Sequence, residues 1–160
     1  MLDRLSSYEM AVKNEMIEKE FYERNARITS HPLSKALFEH MASEELAHHE
    51  GLKRLHEELQ SKGKLPDKCE LRMAKTAVLE VLESLLKNDL NMKKMSDDDL
   101  TMIRNAVRLE EKVLIFYERL VDRVENPHDK TLFGFCVSTE KAHLQSLKDA
   151  EAFLAKFGVK

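Results

Sequence analysis

Apolar residues recur at spacings of three, four and seven through most of this chain, as they do on one face of an amphipathic helix. The first such segment ends before Pro32, and the second ends near Gly63. A third covers about residues 71–90, and the last two lie on either side of Pro127. Ser96 is followed by three aspartates, and this combination is typical of a helix N-terminus. No segment shows the sustained alternation of a β-strand, so the sequence predicts an all-α fold.

The second half of the chain repeats the first. A shift of 95 positions aligns residues 11–24 (AVKNEMIEKEFYER) with residues 106–119 (AVRLEEKVLIFYER) without a gap. The same shift places Pro32 on Pro127, and 17 of the 43 residues from 11 to 53 are identical to their partners. Chance would give only a few identities. The chain therefore contains a duplicated helical hairpin.

The duplication predicts the architecture. A chain of 160 residues suits one compact domain, and we expect residues 1–160 to form an up-down four-helix bundle with pseudo-two-fold symmetry. Hairpin 1 is predicted at about residues 3–63 and hairpin 2 at about residues 96–157. A helical crossover at about residues 64–95 joins them.

Composition and charge exclude several classes of protein. The net charge is −3 and no basic cluster occurs, which argues against nucleic acid as a partner. No apolar run approaches the ~20 residues of a membrane span, and the N-terminus lacks the apolar stretch of a signal peptide. We therefore expect a soluble, cytoplasmic protein without a membrane partner.

Cys69 and Cys136 lie far apart and form no C-x-x-C pair. We expect Cys136 to be a small buried residue.

Certain polar residues lie on the predicted buried stripes and occur in both halves. Glu15 follows Ala11 by one turn on the apolar stripe of the first helix, and Glu110 follows Ala106 in the same way. The complete set is Glu15, Glu45 and His48 in the first half, with Glu110, Glu140 and His143 in the second. Four carboxylates and two imidazoles are thus predicted to point at the bundle axis.

Such a buried set is costly unless cations neutralise it, because an unpaired buried charge costs several kcal/mol. Residues at i and i+3 are neighbours on a helix, so a Glu-x-x-His pair can address one ion with an oxygen and a nitrogen. This spacing occurs at Glu45-His48 and at Glu140-His143. The pattern matches the ligand scheme of di-iron and di-manganese carboxylate bundles. One such pair alone would mean little, and a bundle whose site no longer binds metal is the alternative.

These residues resemble the rubrerythrin group of ferritin-like proteins, and the likeness covers both hairpins. The resemblance implies a ferritin-like bundle that binds two iron ions, with manganese as a second choice, through the six residues above. It also implies that Glu45 and Glu140 bridge the ions, and that Tyr22 and Tyr117 orient ligand carboxylates. Taken alone, the two tyrosines would be ordinary core aromatics. A homodimer is expected from the family.

This sequence departs from rubrerythrins in two respects. It has no rubredoxin-like C-x-x-C motifs, so we expect an external electron donor of the rubredoxin or flavoprotein type. Rubrerythrins have an extra glutamate one turn after the ligand that corresponds to Glu110, and this position is Val113 here. The residue that the duplication relates to Val113 is Glu18, in the first half. We hypothesise that Glu18 replaces His143 as a ligand when iron is oxidised. The alternative is a solvated or salt-bridged Glu18.

Three functions are consistent with these residues. The first is an oxidoreductase in which iron reacts with hydrogen peroxide or dioxygen and an external donor re-reduces it. The second is ferroxidase activity or iron storage, and the third is a non-catalytic bundle with a vestigial site. His40, His49 and His56 have no histidine partner in the other half, so we expect them at the surface or the rim.

Overall fold

The computed structural model describes residues 3–67 and 78–157, and within these ranges the backbone forms five α-helices. They are α1 (Arg4–Ile28), α2 (Pro32–Lys62), α3 (Val78–Asn88), α4 (Asp97–Arg123) and α5 (Pro127–Ala155). The described ranges contain no β-strand, so the all-α prediction is confirmed. None of the helices in these ranges combines the length and the apolar character that crossing a membrane requires.

The four long helices begin at side-chain caps that the sequence supplies. Asp3 and Ser96 accept hydrogen bonds from backbone N–H groups in the first turns of α1 and α4. The helices α2 and α5 each begin with a proline. The side chains of the preceding residues, His31 and Asn126, accept hydrogen bonds from backbone N–H groups of the first turn. After α2 the chain turns at Gly63, whose φ of 71° suits glycine because it has no Cβ.

The helices are arranged as two hairpins that pack against each other. Each hairpin, α1 with α2 and α4 with α5, has its most extensive packing within itself. The hydroxyl of Thr29, after α1, donates a hydrogen bond of 2.6 Å to Asp99 in the first turn of α4. Tyr8 in α1 donates one of 2.8 Å to Asp129 in the first turn of α5. Thus α1 runs antiparallel to α4 and parallel to α5.

The crossover carries the chain back along the length of the bundle. Nε2 of His31, before α2, lies 2.7 Å from the carbonyl oxygen of Lys93, before α4. The two helices therefore start at the same end and run parallel. Between them, α3 buries Val78 in the core. This helix covers the later part of the predicted segment 71–90, and residues 68–77 lie outside the described residues.

The apolar core is divided into two clusters by a polar layer. The Phe38 cluster includes Tyr22, Ala26, Leu37, Phe38, Met41, Leu82 and Leu147. The Phe133 cluster includes Tyr8, Ala11, Leu52, Val113, Tyr117, Phe133 and Cys136. Along α1, the buried Glu15 and Glu18 lie between the residues that belong to the two clusters. Apolar packing at both ends of the bundle therefore fixes the position of the polar layer.

Candidate metal centre

Each of the four long helices carries at least one acidic side chain into the polar layer. The residues are Glu15 and Glu18 of α1, Glu45 and His48 of α2, Glu110 of α4, and Glu140 and His143 of α5. None is more than 6% exposed. All six predicted ligands and Glu18 are thus buried in the polar layer.

The donor atoms form two overlapping groups, and within each group the atoms lie within 4.8 Å of one another. One group consists of Glu45, His48, Glu140 and His143. The other consists of Glu15, Glu18, Glu45 and Glu140. Since Glu45 and Glu140 belong to both groups, they occupy the middle of the site, where a carboxylate could contact two ions. Glu110 is in neither group, although its charge acts on Glu140 and Glu18.

Both histidines direct Nδ1 toward the carboxylates. Nδ1 of His143 lies 2.9 Å from Oε1 of Glu45 and 3.8 Å from Oε2 of Glu140, and the shorter contact lacks the direction of a hydrogen bond. Nδ1 of His48 lies 3.8 Å from Oε2 of Glu15 and from Oε2 of Glu45. The two rings stack with their centroids 5.3 Å apart. Each imidazole can therefore offer one nitrogen to an ion.

The two predicted tyrosines hold carboxylates of the opposite hairpin. The hydroxyl of Tyr22 donates a hydrogen bond of 2.6 Å to Oε1 of Glu110, and that of Tyr117 donates one of 2.6 Å to Oε1 of Glu15. These reciprocal bonds show the pseudo-two-fold relationship of the hairpins. In both glutamates the second oxygen, Oε2, has no hydrogen-bond partner among the described residues.

The unpartnered oxygens test whether the residues fit a metal. Within the described ranges, neither oxygen of Glu18, Glu45 or Glu140 has a hydrogen-bond partner. Native proteins rarely leave buried polar atoms in this state, because each costs about 1–3 kcal/mol. Coordinated cations would satisfy these oxygens, and a donor set of carboxylates and imidazoles suits iron or manganese. The residues therefore fit a metal site.

Without a cation, four of the five buried glutamates of the two hairpins that meet in the polar layer have raised pKa values. Burial, followed by repulsion from neighbouring carboxylates, raises the pKa of Glu15 and of Glu18 well above the usual range. The same causes raise the pKa of Glu110, and they raise the pKa of Glu140 to about 7. Burial alone would also raise the pKa of Glu45, but its contacts with Glu15 and the two histidines outweigh burial and lower that pKa. Cations that enter the site must displace any protons that these carboxylates hold.

Glu18 lies inside the site rather than at the surface. It is 0% exposed, and its donor atoms group with those of Glu15, Glu45 and Glu140. This burial does not fit a solvated Glu18, and neither of its oxygens has a hydrogen-bond partner among the described residues. Its symmetry-related residue, Val113, is packed in the Phe133 cluster. At this position the two halves of the site therefore differ by one carboxylate.

Glu44 is a further candidate functional residue, and the comparison of the two halves did not reveal it. Its Oε2 lies 2.9 Å from Nε2 of His143, and its Oε1 lies 3.2 Å from Nε2 of His40. Burial would raise the pKa of Glu44, but the two histidines outweigh burial and lower it to about 2. Requiring the same polar residue in both halves discarded Glu44, because its partner is Thr139. The helical stripe that contains Glu45 and His48 also passes through position 44, and this signal could have found it.

Two expectations about neighbouring residues have different outcomes. Cys136 is only 5% exposed and packs in the Phe133 cluster, as expected for a small buried residue. His49 was expected at the surface or the rim, and this is wrong. It is 7% exposed, and its Nδ1 lies 3.3 Å from the carbonyl oxygen of Val12. A neighbouring helix covers it, which the pattern along α2 alone does not reveal.

Comparison with known proteins agrees with this site. A hypothetical protein from Pyrococcus furiosus has the same fold, with a TM-score of 0.65 and 20% identity, over 99% of this chain and 94% of that chain. No curated protein matches the sequence. The rubrerythrin family model matches residues 8–151, a range that includes every candidate ligand. The chain belongs to the rubrerythrin family, and its helices form a bundle of the ferritin-like type.

Proposed function

We propose that this protein is a non-haem di-iron oxidoreductase that reduces hydrogen peroxide or dioxygen with electrons from an external donor. The observation that supports this proposal best is the burial of two Glu-x-x-His pairs, with single glutamates from the other two helices, in one layer of a rubrerythrin-family chain. The proposed ligands are Glu15, Glu45, His48, Glu110, Glu140 and His143.

The distances suggest how the ligands would be shared. His48 would hold one ion together with Glu15, and His143 would hold the other. Glu45 and Glu140, in the middle of the site, would contact both ions. Bound iron would supply Lewis acidity and electrons for the reduction of the oxidant.

The surrounding residues orient the ligands and control access. Burial and nearby glutamate charges raise the pKa of Tyr22 and of Tyr117, so each hydroxyl remains a hydrogen-bond donor at neutral pH. The two apolar clusters exclude bulk water from both ends of the site. A cavity of about 10 Å³ borders the site and is lined by Glu15, His48, Leu52, Cys136, Thr139 and Glu140. A space of this size holds about one water molecule, so it favours a very small oxidant.

Glu18 would adapt the site to oxidised iron. It adds a fifth carboxylate to the four that both halves share. Extra negative charge stabilises two metal ions of higher positive charge more than it stabilises two ions of lower charge. We therefore propose that Glu18 favours the oxidised pair of ions, and that His143 is the ligand it replaces.

Metal analysis and rapid kinetics test the proposal. Protein produced with iron should contain about two iron ions per chain. When the reduced protein is mixed with peroxide or dioxygen in a stopped-flow instrument, we expect faster oxidation by peroxide. Equally slow oxidation by both would contradict a peroxidase. A many-subunit shell in size-exclusion chromatography, together with iron uptake, would support iron storage instead. Protein that is produced with ample iron but contains no metal would overturn both functions.

A further inference from the structure

A surface groove with a volume of about 450 Å³ lies between α1 and the C-terminal half of α4. Its apolar lining residues are Met10, Ile115, Phe116 and Leu120, and its charged lining residues are Lys112, Arg119 and Arg123. Met10 is 39% exposed and Ile115 is 48% exposed. The groove therefore combines an accessible apolar floor with a rim whose charges are all positive.

The three rim cations belong to those lysines and arginines that no ion pair neutralises among the described residues. Several lysines and arginines form ion pairs with acidic residues, such as Lys62 with Glu58 at 2.9 Å and Arg104 with Glu151 at 3.3 Å. Within the described ranges, the cations that line the groove form no ion pair. The chain as a whole has a net charge of −3, so the positive rim is a local feature. Such a rim attracts an acidic partner and orients it during the encounter.

A short aromatic path joins the groove to the metal site. Phe116 lines the groove, and its ring centroid lies 5.0 Å from that of Tyr117 in an edge-to-face contact. Tyr117 is fully buried and donates a hydrogen bond of 2.6 Å to Glu15, a proposed ligand. Two side chains thus connect a surface groove with the metal site.

The duplication provides an internal comparison for this path. In the first half, Phe21 contacts Tyr22 with ring centroids 5.3 Å apart, and Tyr22 donates a hydrogen bond to Glu110. The shift of 95 positions relates the lining residues Lys112, Ile115, Leu120 and Arg123 to Ile17, Glu20, Asn25 and Ile28. Among the rim cations, only Arg119 has a cationic counterpart, Arg24. Both halves have the path, but the first half keeps only one of the three cations that line the groove in the second.

We propose that this groove docks an acidic electron-donor protein that has an apolar patch around its redox centre, and that electrons pass through Phe116 and Tyr117 to the metal site. This inference rests on the proposed function, because it assigns the entry point for the electrons that the function requires. A second copy of this chain is a poorer occupant. An isologous contact between copies would bring the same unpaired cations together.

The reaction sets the kind of contact. Reduction of one hydrogen peroxide molecule to two water molecules consumes two electrons and two protons. A one-electron donor must therefore dock twice in each cycle, and one donor molecule is oxidised each time. Rapid exchange requires a small interface with charges at its rim, rather than a large apolar one.

The docking test compares two arginines that the pseudo-two-fold symmetry relates. The probe is reduced rubredoxin, a small acidic iron–thiolate protein. At low salt we expect Arg119→Glu to weaken rubredoxin binding and to slow the second-order reduction of the iron-loaded protein, each by about tenfold. We expect Arg24→Glu to change neither quantity. The difference should vanish near 1 M salt, where charges are screened beyond about 3 Å. Binding is measured by NMR titration on metal-free and on loaded protein.

The path test uses the two related phenylalanines. We expect Phe116→Leu to bind rubredoxin with unchanged affinity but to be reduced several-fold more slowly at saturating rubredoxin. Phe21→Leu should be reduced at the wild-type rate. Equal rates in the two variants would overturn the assigned path.

A small neutral reductant separates failure of the docking site from failure of the proposed function. Photoreduced lumiflavin should reduce the wild type and all four variants at one rate. If the wild type holds no iron, or if lumiflavin cannot reduce it, the proposed function fails. If lumiflavin reduces it but rubredoxin does not bind, or binds Arg119→Glu and Arg24→Glu equally, the docking site is wrong. A wild-type dimer that Arg119→Glu dissociates in sedimentation would show that the groove joins two copies, and this too would overturn the proposal.

Discussion

Tyr22 of α1 donates a hydrogen bond of 2.6 Å to Glu110 of α4, so the two hairpins are joined directly at the metal site. Tyr117 of α4 returns the same contact to Glu15 of α1. Hydrogen bonds to a carboxylate are stronger than those between neutral groups. Each bond fixes one carboxylate oxygen, while the other has no hydrogen-bond partner in the described ranges. The packing of the hairpins and the binding of metal should therefore depend on the same two side chains.

Replacing Tyr22 with phenylalanine should affect both properties. We expect the free energy of unfolding to fall by about 1–3 kcal/mol, because a buried carboxylate loses its donor. For a chain of this size each kcal/mol lowers the melting temperature by about 2–4 °C. Metal affinity should fall by about 10- to 100-fold, since Glu110 is no longer oriented. Thermal denaturation and anaerobic metal titration measure the two effects.

Tyr8→Phe is the matched control. Tyr8 is also fully buried and donates a hydrogen bond of 2.8 Å, but its acceptor is Asp129, outside the metal site. We expect a comparable loss of stability with no change in metal affinity. If Tyr8→Phe and Tyr22→Phe weakened metal binding equally, Tyr22 would not be an orienting residue.

The melting temperature of the metal-free protein should fall as the pH rises from about 5.5 to 7. The pKa of Glu140 is about 7 in the folded chain, against an ordinary value of 4.5. Between these values the folded chain keeps a proton that the unfolded chain has released. The free energy of unfolding therefore decreases with pH, by about 1.4 kcal/mol per pH unit for each such proton.

Other groups at the site do not reverse this sign. Burial alone would lower the pKa of His143, but the neighbouring glutamates raise it, so its stabilising effect is also lost as the pH rises. Glu44 and Glu45 have lowered pKa values, and their contributions change only below the ordinary value of 4.5. Metal replaces the protons, so the increase in melting temperature on metal binding should be larger at about pH 7 than at about pH 5.5. Calorimetry of both forms tests this. A metal-free melting temperature that is independent of pH would contradict it.

The bundle and the positions of the six predicted ligands followed from the sequence because the duplication provides an internal alignment. Glu45-x-x-His48 and Glu140-x-x-His143 lie at one fixed offset, and the helical period places both pairs inside. The same requirement hid Glu44, whose partner in the other half is a threonine. A residue that breaks the symmetry cannot be recognised by a criterion that demands symmetry.

Contacts between helices are a second class of feature that the pattern could not supply. The groove exists because Met10 of α1 lies beside Phe116 and Leu120 of α4. Helical periodicity identifies the buried face of each helix, but not which residues of two helices meet. His49 was misplaced for the same reason, since its partner Val12 belongs to another helix.

Glu44 should position His143, and Glu44→Gln tests this role. The carboxylate lies 2.9 Å from Nε2 of His143, and an anion at this nitrogen fixes the ring and strengthens Nδ1 as a ligand. We expect affinity to fall by about 10- to 100-fold for one of the two ions only, so that a titration with manganese shows two unequal phases.

The matched variant for Glu44→Gln is Thr139→Ala at the symmetry-related position. Thr139 lines the small cavity beside His48 and carries no charge. Its removal should change metal affinity much less than Glu44→Gln does. If the two variants weakened binding equally, the charge on Glu44 would not matter for His143.

Glu18→Val should make the metal-free protein more stable and the oxidised site less stable. The first effect arises because a buried carboxylate without a hydrogen-bond partner is removed, which should raise the free energy of unfolding by about 1–3 kcal/mol. The second arises because oxidised iron loses a fifth carboxylate, so the midpoint potential should rise and oxidation by peroxide should slow. X-ray absorption should then show His143 bound in both oxidation states.

The double variant Glu18→Val/Val113→Glu moves the carboxylate to the related position on α4 and should restore the wild-type potential. If Glu18→Val left the potential, the oxidation rate and the iron coordination unchanged, Glu18 would have no role as a ligand.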